Sequence, residues 1–295
     1  MGLLNTLRFI VEHPLNSGKR LASLRRFAAW QIGSRLVPGP VVVEFVGGTR
    51  LLVAPGQTGA TGNLYAGLHE LPEMAFVLHL LRPGDLFVDI GANIGSYTIL
   101  AAGAARAKCI AFEPAESAFE ILRANVRLND IAERVEAIRS AVGDAEGEVS
   151  FTIGGDTVNH VATKGEPATM TTVPITRLDR VLGGRAPVAM KIDVEGFEAR
   201  VLDGASKTMA NPGLKAVIME TNGSGSRYGS DDRDLHETMT ALGFAACNYG
   251  PFSRTIEVAG ARNSNGNTIY VRDLDFASER VADAPTFAVA GSRVI

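Results

Sequence analysis

Cysteine is nearly absent from this 295-residue chain: Cys109 and Cys247 are its two, each inside a predicted strand. Two isolated thiols in apolar surroundings exclude a disulfide framework and fit a reducing, cytoplasmic compartment. An excess of one charge sign is missing too. Lys and Arg number 29 against 32 Asp and Glu, a formal net charge of -3, so there is no global electrostatic footprint for bulk nucleic acid. No apolar run is long enough to span a bilayer. The first residues, MGLLNTLRFIVEHP, lack the basic n-region and unbroken apolar segment of a secretory signal. Gly2 and Thr6 match only the loose pattern for myristoylation. Internal repeats and low-complexity blocks are likewise missing. What remains is an ordinary globular composition, 46% hydrophobic and 21% charged, in a length that suits one or two domains.

The stretch 85–113, DLFVDIGANIGSYTILAAGAARAKCIAFE, organises the rest. Leu86, Phe87 and Val88 begin an apolar strand, Gly91 and Gly95 make a tight turn, and small apolar residues continue as a helix. A second apolar run ends at Glu113, roughly 20 residues past the first glycine, the separation at which an acid on the second strand meets a ribose. The segment reads as a nucleoside-cofactor site. Its glycine spacing, however, is G-x-x-x-G. The dinucleotide fingerprint G-x-G-x-x-G needs its second glycine to admit a pyrophosphate, so the spacing argues against NAD and against a nicotinamide-linked oxidoreductase.

Around this stretch the pattern alternates strand and helix. Residues 1–37 read as two helices broken at Pro14, the second carrying Lys19, Arg20, Arg25 and Arg26 among Leu21, Leu24, Phe27, Trp30 and Ile32. That helix is expected to dock with a solvated basic face; a surface for an anionic substrate, membrane or partner is the alternative. Residues 41–53 form a hairpin around Gly47-Gly48. Residues 56–62 read as a loop, 64–81 as helix interrupted at Pro72, and 83–85 as a turn. Helix follows at 117–128 and strand at 135–140. An extra strand at 149–153 leads into a polar loop at 154–169, then strand at 172–175 and helix at 178–182. Strands at 188–192, 216–219, 245–249 and 268–271 complete the pattern, with helices at 197–209 and 235–242. The last two strands follow each other with only loop between, so they suit antiparallel neighbours. The tail beyond Asp273 is expected to be disordered. The expected organisation is an appendage at 1–55, a main domain at 56–273 and a tail at 274–295. The fold class is α/β, a parallel sheet built from right-handed crossovers.

Several segments together resemble the FkbM-type group of class I S-adenosylmethionine-dependent methyltransferases: FVDIGANIGSYT (87–98), FEP (112–114), LRANVRLN (122–129), ITRLD (175–179) and KIDVEGFEARVLDG (191–204). The resemblance covers roughly residues 56–250. It implies a Rossmann-like, mostly parallel seven-stranded sheet with helices on both faces and a reversed last strand, and O-methylation of a small-molecule or glycan hydroxyl. It places Asp89, Gly91, Ala92, Asn93 and Gly95 around the methionine part of the donor, and Glu113, followed by Pro114, on the ribose hydroxyls. Ser140 and Ala141 would sit near adenine, where the acid that often holds the adenine amino group is missing unless Asp144 reaches it.

Asp193 and Glu195 end the fourth strand, where the resemblance places methyl transfer. Glu220 and Asn222 end the fifth. Carboxylates ahead of a helix also favour its N-terminal dipole, and that reading competes for Glu195 above all. Transfer to a hydroxyl needs a base only where the proton must be removed, and Asp193 and Glu220 are the candidates, with His69 and His160 as outsiders. Tyr65 and Glu70, with Asn63, are candidates for the acceptor side; for Tyr65 the competing reading is simple packing. Two carboxylates and an amide could also hold a divalent cation, a possibility not favoured here. A non-catalytic binding protein on the same fold would carry the same donor residues, and the oligomeric state is left open.

Overall fold

The structure, a computed structural model, describes residues 2–37, 39–155, 159–163, 165–167, 169–264, 266–290 and 293–295. Residues 156–158, 164 and 168 of the expected polar loop therefore lie outside the described residues. Two N-terminal helices, α1 (Leu3–Glu12) and α2 (Arg20–Leu36), are separated by a short 3₁₀ turn that begins at Pro14. A hairpin of β1 (Val41–Glu44) and β2 (Arg50–Val53) follows, in the register Val41 opposite Val53, with Gly47 and Gly48 supplying the positive φ of the turn.

The segment 56–62, expected as loop, is largely helical. Helix α3 (Thr58–Ala66) forms because α2 packs on it: Asn16 Nδ2 and Arg26 Nη2 donate to the Tyr65 carbonyl, and the Phe27 and Tyr65 rings meet edge to face at 5.2 Å. Tertiary packing overrides the glycine and threonine content there. Helix α4 (Leu71–Leu80) starts with Pro72 in its first turn, where a missing N–H costs nothing, and is buried along almost its whole length.

Then come β3 (Leu86–Ile90), the three-residue α5 (Ser96–Thr98) continued by a π-helical stretch (Ile99–Ala104), β4 (Lys108–Phe112), α6 (Glu116–Leu128) and β5 (Val135–Ile138). A small side sheet is made by β6 (Ala141–Val142), β7 (Gly147–Thr152) and β8 (Met170–Thr176). The chain continues through α7 (Leu178–Leu182), β9 (Ala189–Ile192), α8 (Glu198–Gly204), α9 (Ser206–Ala210), β10 (Ala216–Thr221), α10 (Asp232–Ala241), β11 (Ala245–Gly250), β12 (Thr255–Val258) and β13 (Gly266–Val271). The helix expected over 197–209 is thus two short ones that meet at Ala205.

The main sheet has the order β12-β11-β13-β10-β9-β3-β4-β5. Strands β5, β4, β3, β9 and β10 are parallel, and β13 runs antiparallel between β10 and β11. Seven strands have the expected arrangement with one reversed. The eighth, β12, is an edge strand within the connection read as plain loop; it pairs with β11 from Cys247 opposite Val258 to Gly250 opposite Thr255. The central strands of the sheet are buried, with apolar clusters on both faces, as parallel strands covered on both sides require. The chain order reverses between β3 and β9, so a crevice opens at their carboxyl ends.

The described residues of the tail form regular elements, against expectation. Helix α11 (Leu274–Ala282) is capped by the Asp273 carboxylate, and Arg280 pairs with Asp85 at 2.6 Å. Strands β14 (Ala288–Val289) and β15 (Arg293–Val294) follow, with Phe287, Val289 and Ile295 buried. Val46 of the hairpin bridges Val289, so tail and appendage close against each other. A short run of separated apolar residues carried too little periodicity to announce this docking.

Candidate active site

The crevice at the β3/β9 switch holds a cleft of about 270 Å³. One wall is the turn after β3. Gly91 and Ala92 both donate to the Phe112 carbonyl at the tip of β4, which draws the turn across the neighbouring strand. Gly91 has φ +81°, and a Cβ there would stand 1.8 Å from the Asp193 carbonyl oxygen; only glycine fits. Asn93 also adopts a positive φ of 50°, and its N–H donates to Glu113 Oε2 at 2.8 Å. Gly95 does not line the cleft. It starts α5 at φ +91°, and its missing side chain makes room for Leu122 of α6.

Glu113 is buried at the tip of β4. Its other oxygen accepts from Ala115 N–H at 2.8 Å, and burial pushes its carboxyl up to about 7 despite these two donors. Asp89 is still more deeply buried, accepting from the Thr98 hydroxyl at 2.6 Å; burial raises its pKa, and the nearby Lys191 opposes the rise. Pro114, Ser140 and Ala141 line the cleft together with Ala118, Phe151 and Val161, apolar side chains of one cluster that includes Ala115. Ser140 Oγ is engaged with the Ala141 and Pro174 carbonyls. Asp144 pairs with Arg200 at 3.0 Å and is not among the lining residues.

Opposite lies an acidic group. One carboxylate oxygen each from Asp193, Glu195 and Glu220 falls within 4.8 Å of the others. Lys191, buried under them, hydrogen-bonds Asp193 Oδ2 and sits 4.8 Å from the centre of the Tyr97 ring. Burial acts to lower the Lys191 pKa, but the charges of Asp193, Glu70 and Asp89 outweigh it and hold the ammonium charged. Burial, then the charges of Asp193 and Glu195, push Glu220 up to about 9; burial and Asp193 bring Glu195 to about 7. Glu220 Oε2 is buried without a hydrogen-bond partner among the described residues. Its other oxygen accepts from Asn222 at 2.7 Å, so Asn222, itself exposed and outside the cleft, orients Glu220 instead of meeting an acceptor.

The Glu195 backbone is strained, with φ +56°. Glu198 holds this turn by accepting from Val194 and Gly196 N–H. Glu70 lines the cleft and is fixed by Tyr97 Oη at 2.7 Å and Asn267 Nδ2 at 2.8 Å. Asn63 and His69 line it as well. Tyr65 does not. Its ring packs on Phe27 and its hydroxyl accepts from Gln31, because its place on α3 turns it toward α2. His160 is buried against Glu166 and Thr152 outside the cleft, which suits a structural part in its loop. Lys191, Tyr97, Gln57 and Phe151 are lining residues that sequence reasoning missed. The first two stand inside KIDVEG and GSYT, so those motifs held the signal.

The strand order with one reversed strand, and a cleft at the switch point with an acid at the second strand's tip, define the protein as a methyltransferase of the Rossmann-like class. Residues 89–246 match the methyltransferase FkbM domain, and the chain belongs to that family. It is similar to the hexuronic acid methyltransferase AglP of Haloferax volcanii, 26% identical over 235 residues that span 75% of this chain and 88% of that protein. It is also similar to the 31-O-demethyl-FK506 methyltransferase FkbM of Streptomyces tacrolimicus, 30% identical over 177 residues, 48% of this chain and 67% of that one. A crystal structure of a methyltransferase FkbM from Methylobacillus flagellatus aligns at 15% identity and TM-score 0.45 over 85% of this chain, which spans 60% of the length of that structure.

Proposed function

We propose that the protein transfers a methyl group from S-adenosylmethionine to a hydroxyl of a carbohydrate or other small-molecule acceptor. The observation that carries this reading is the pairing, across one cleft, of a buried Glu113 and an apolar cluster with the Lys191, Asp193, Glu195 and Glu220 group. A carboxylate offers about four acceptor positions. Two on Glu113 are used by backbone N–H groups, and two are left for the vicinal hydroxyls of a ribose. The apolar lining of Ala118, Phe151 and Val161 in the same cleft suits a flat base, and the Gly91 turn lets a ligand lie against backbone. The donor supplies an electrophilic methyl on a sulfonium.

The chain's own part is to align the acceptor and to receive a proton. Alignment matters most, because in-line transfer needs no covalent enzyme intermediate. Glu220, with its unpartnered oxygen and raised pKa, is the stronger base of the acidic group, and Asp193, held by Lys191, is the second candidate. Lys191, paired with Asp193, supplies a fixed positive charge beside the acidic group. The names of the two relatives, one acting on a hexuronic acid and one on a 31-O-demethyl compound, support a sugar or a secondary metabolite as the acceptor class.

Titration calorimetry with S-adenosylhomocysteine, alongside NAD, tests the donor. Binding of the first alone is expected; binding of NAD alone would replace this reading with the oxidoreductase one, and binding of neither would reject it. A panel of hydroxyl acceptors read by mass spectrometry for one added methylene tests the transfer. Donor binding with no acceptor modified across sugars and polyols would favour the non-catalytic alternative.

A further inference from the structure

Helix α2 has a face that none of the described residues covers. Leu21, Ile32 and Leu36 are 74%, 62% and 75% exposed, and their spacing of 11 and then 4 residues places them on one stripe with the exposed Ala28 and Ala29. Arg25 lies within the stripe and Arg35 beside it. The opposite face is the anchored one. Ser23 is buried and bonds Asn16, Arg26 bonds the Tyr65 carbonyl, and Phe27 packs on Tyr65. Val37, Val41 and Val42, in the segment after α2, are exposed as well.

The charge of the same segment is one-sided. Residues 13–43 contain Lys19, Arg20, Arg25, Arg26 and Arg35 and no Asp or Glu. These five positive charges leave the remainder of the chain at -8 against -3 for the whole. Phe27 and Trp30 pack inward on the other side, so the outer stripe of aliphatic side chains bordered by arginines, with no acid in the segment to repel phosphate, is left to meet a layer of anionic headgroups.

We propose that the exposed face of α2 docks on the surface of an anionic lipid bilayer. A second copy of the chain is disfavoured as the occupant, since a two-fold contact through this face would bring two Arg25 and Arg35 rows together. Spanning is not involved: among the described residues no helix is long and apolar enough to cross a membrane. The inward side of α2 packs on α3, and α3 supplies Ala60 and Asn63 to the cleft wall.

The test is cosedimentation of the full chain with vesicles of phosphatidylglycerol and phosphatidylcholine in equal parts, and with phosphatidylcholine alone. Binding about tenfold stronger to the anionic vesicles, weakened by salt, is expected. The double variant Ile32→Ser/Leu36→Ser should lose it, and Arg25→Gln/Arg35→Gln should lose the preference for anionic lipid. Both changes fall on exposed side chains, so melting curves should stay unchanged. Equal binding to both vesicle types, or to neither, would overturn the proposal. So would a concentration-dependent dimer in ultracentrifugation that Ile32→Ser/Leu36→Ser abolishes, which would assign the face to a second copy.

Discussion

Gly91 passes under the carbonyl of Asp193 so closely that a single methyl group on it would stand 1.8 Å from that oxygen. The turn after β3 and the turn after β9 are therefore one interlocked unit. Gly91→Ala should force them apart and also strain a φ of +81°, at a cost of about 3 kcal/mol or more. A melting temperature lower by roughly 6 °C, with loss of S-adenosylhomocysteine binding, is the expected outcome. A variant as stable as the parent would show that the two turns are free to separate.

Both Glu113 oxygens accept a backbone N–H, from Asn93 and from Ala115. Glu113→Gln would face one of these donors with an amide NH₂ and would remove the charge that strengthens a bond to a diol. Donor affinity should fall by about 10- to 100-fold, the worth of one or two charge-assisted bonds. Calorimetry measures this directly, and unchanged affinity would remove Glu113 from the donor site.

The half of the cleft proposed for the donor was legible because it is local in sequence. Asp89 through Asn93 and Glu113 belong to one strand-turn-helix-strand unit, and spacing alone brings them together. The half proposed for the acceptor joins the ends of β9 and β10 to α3, α4 and the start of β13, elements far apart in the chain. Asp193 and Glu220 were visible as polar residues ending apolar runs. Lys191 was not, because a lysine inside a strand is marked only by the buried acids it meets. Tyr65 was misassigned for a similar reason: the 56–62 segment becomes helix only against α2, and that helix turns Tyr65 away. The tail after Asp273 folds through single anchors, Arg280 on Asp85 and Val289 on Val46, which carry no periodic signature.

Lys191 and Asp193 form a charged pair with Lys191 buried, and Asp89 depends on the same ammonium. Lys191→Met should leave two carboxylates without their counter-charge and cost about 3 to 5 kcal/mol. Asp193→Asn keeps a hydrogen-bond acceptor for Lys191, so it should spare the fold while lowering turnover. The double variant should recover part of the stability lost in Lys191→Met, and a denaturant-based double-mutant cycle measures that coupling. Strict additivity would show that the two residues do not act as a pair.

The buried carboxylates in and around the cleft give a pH signature whose sign follows from their raised pKa values. Glu113, Glu195 and Glu198 are brought to about 7 and Glu220 to about 9, all chiefly by burial, whereas an unfolded glutamate titrates near about 4.3. Between these limits the folded chain binds more protons than the unfolded one. Stability should therefore fall as pH rises from about 5 to about 9, by at most about 1.4 kcal/mol per pH unit for each group. Glu220→Gln should flatten the upper part of that decline, above about pH 7, because it removes the group still titrating there. The same variant bears on catalysis. If Glu220 takes the hydroxyl proton, turnover in the parent should rise with pH as its carboxylate forms, and Glu220→Gln should lower turnover and abolish that rise. A parent-like pH profile in Glu220→Gln would transfer the role of base to Asp193.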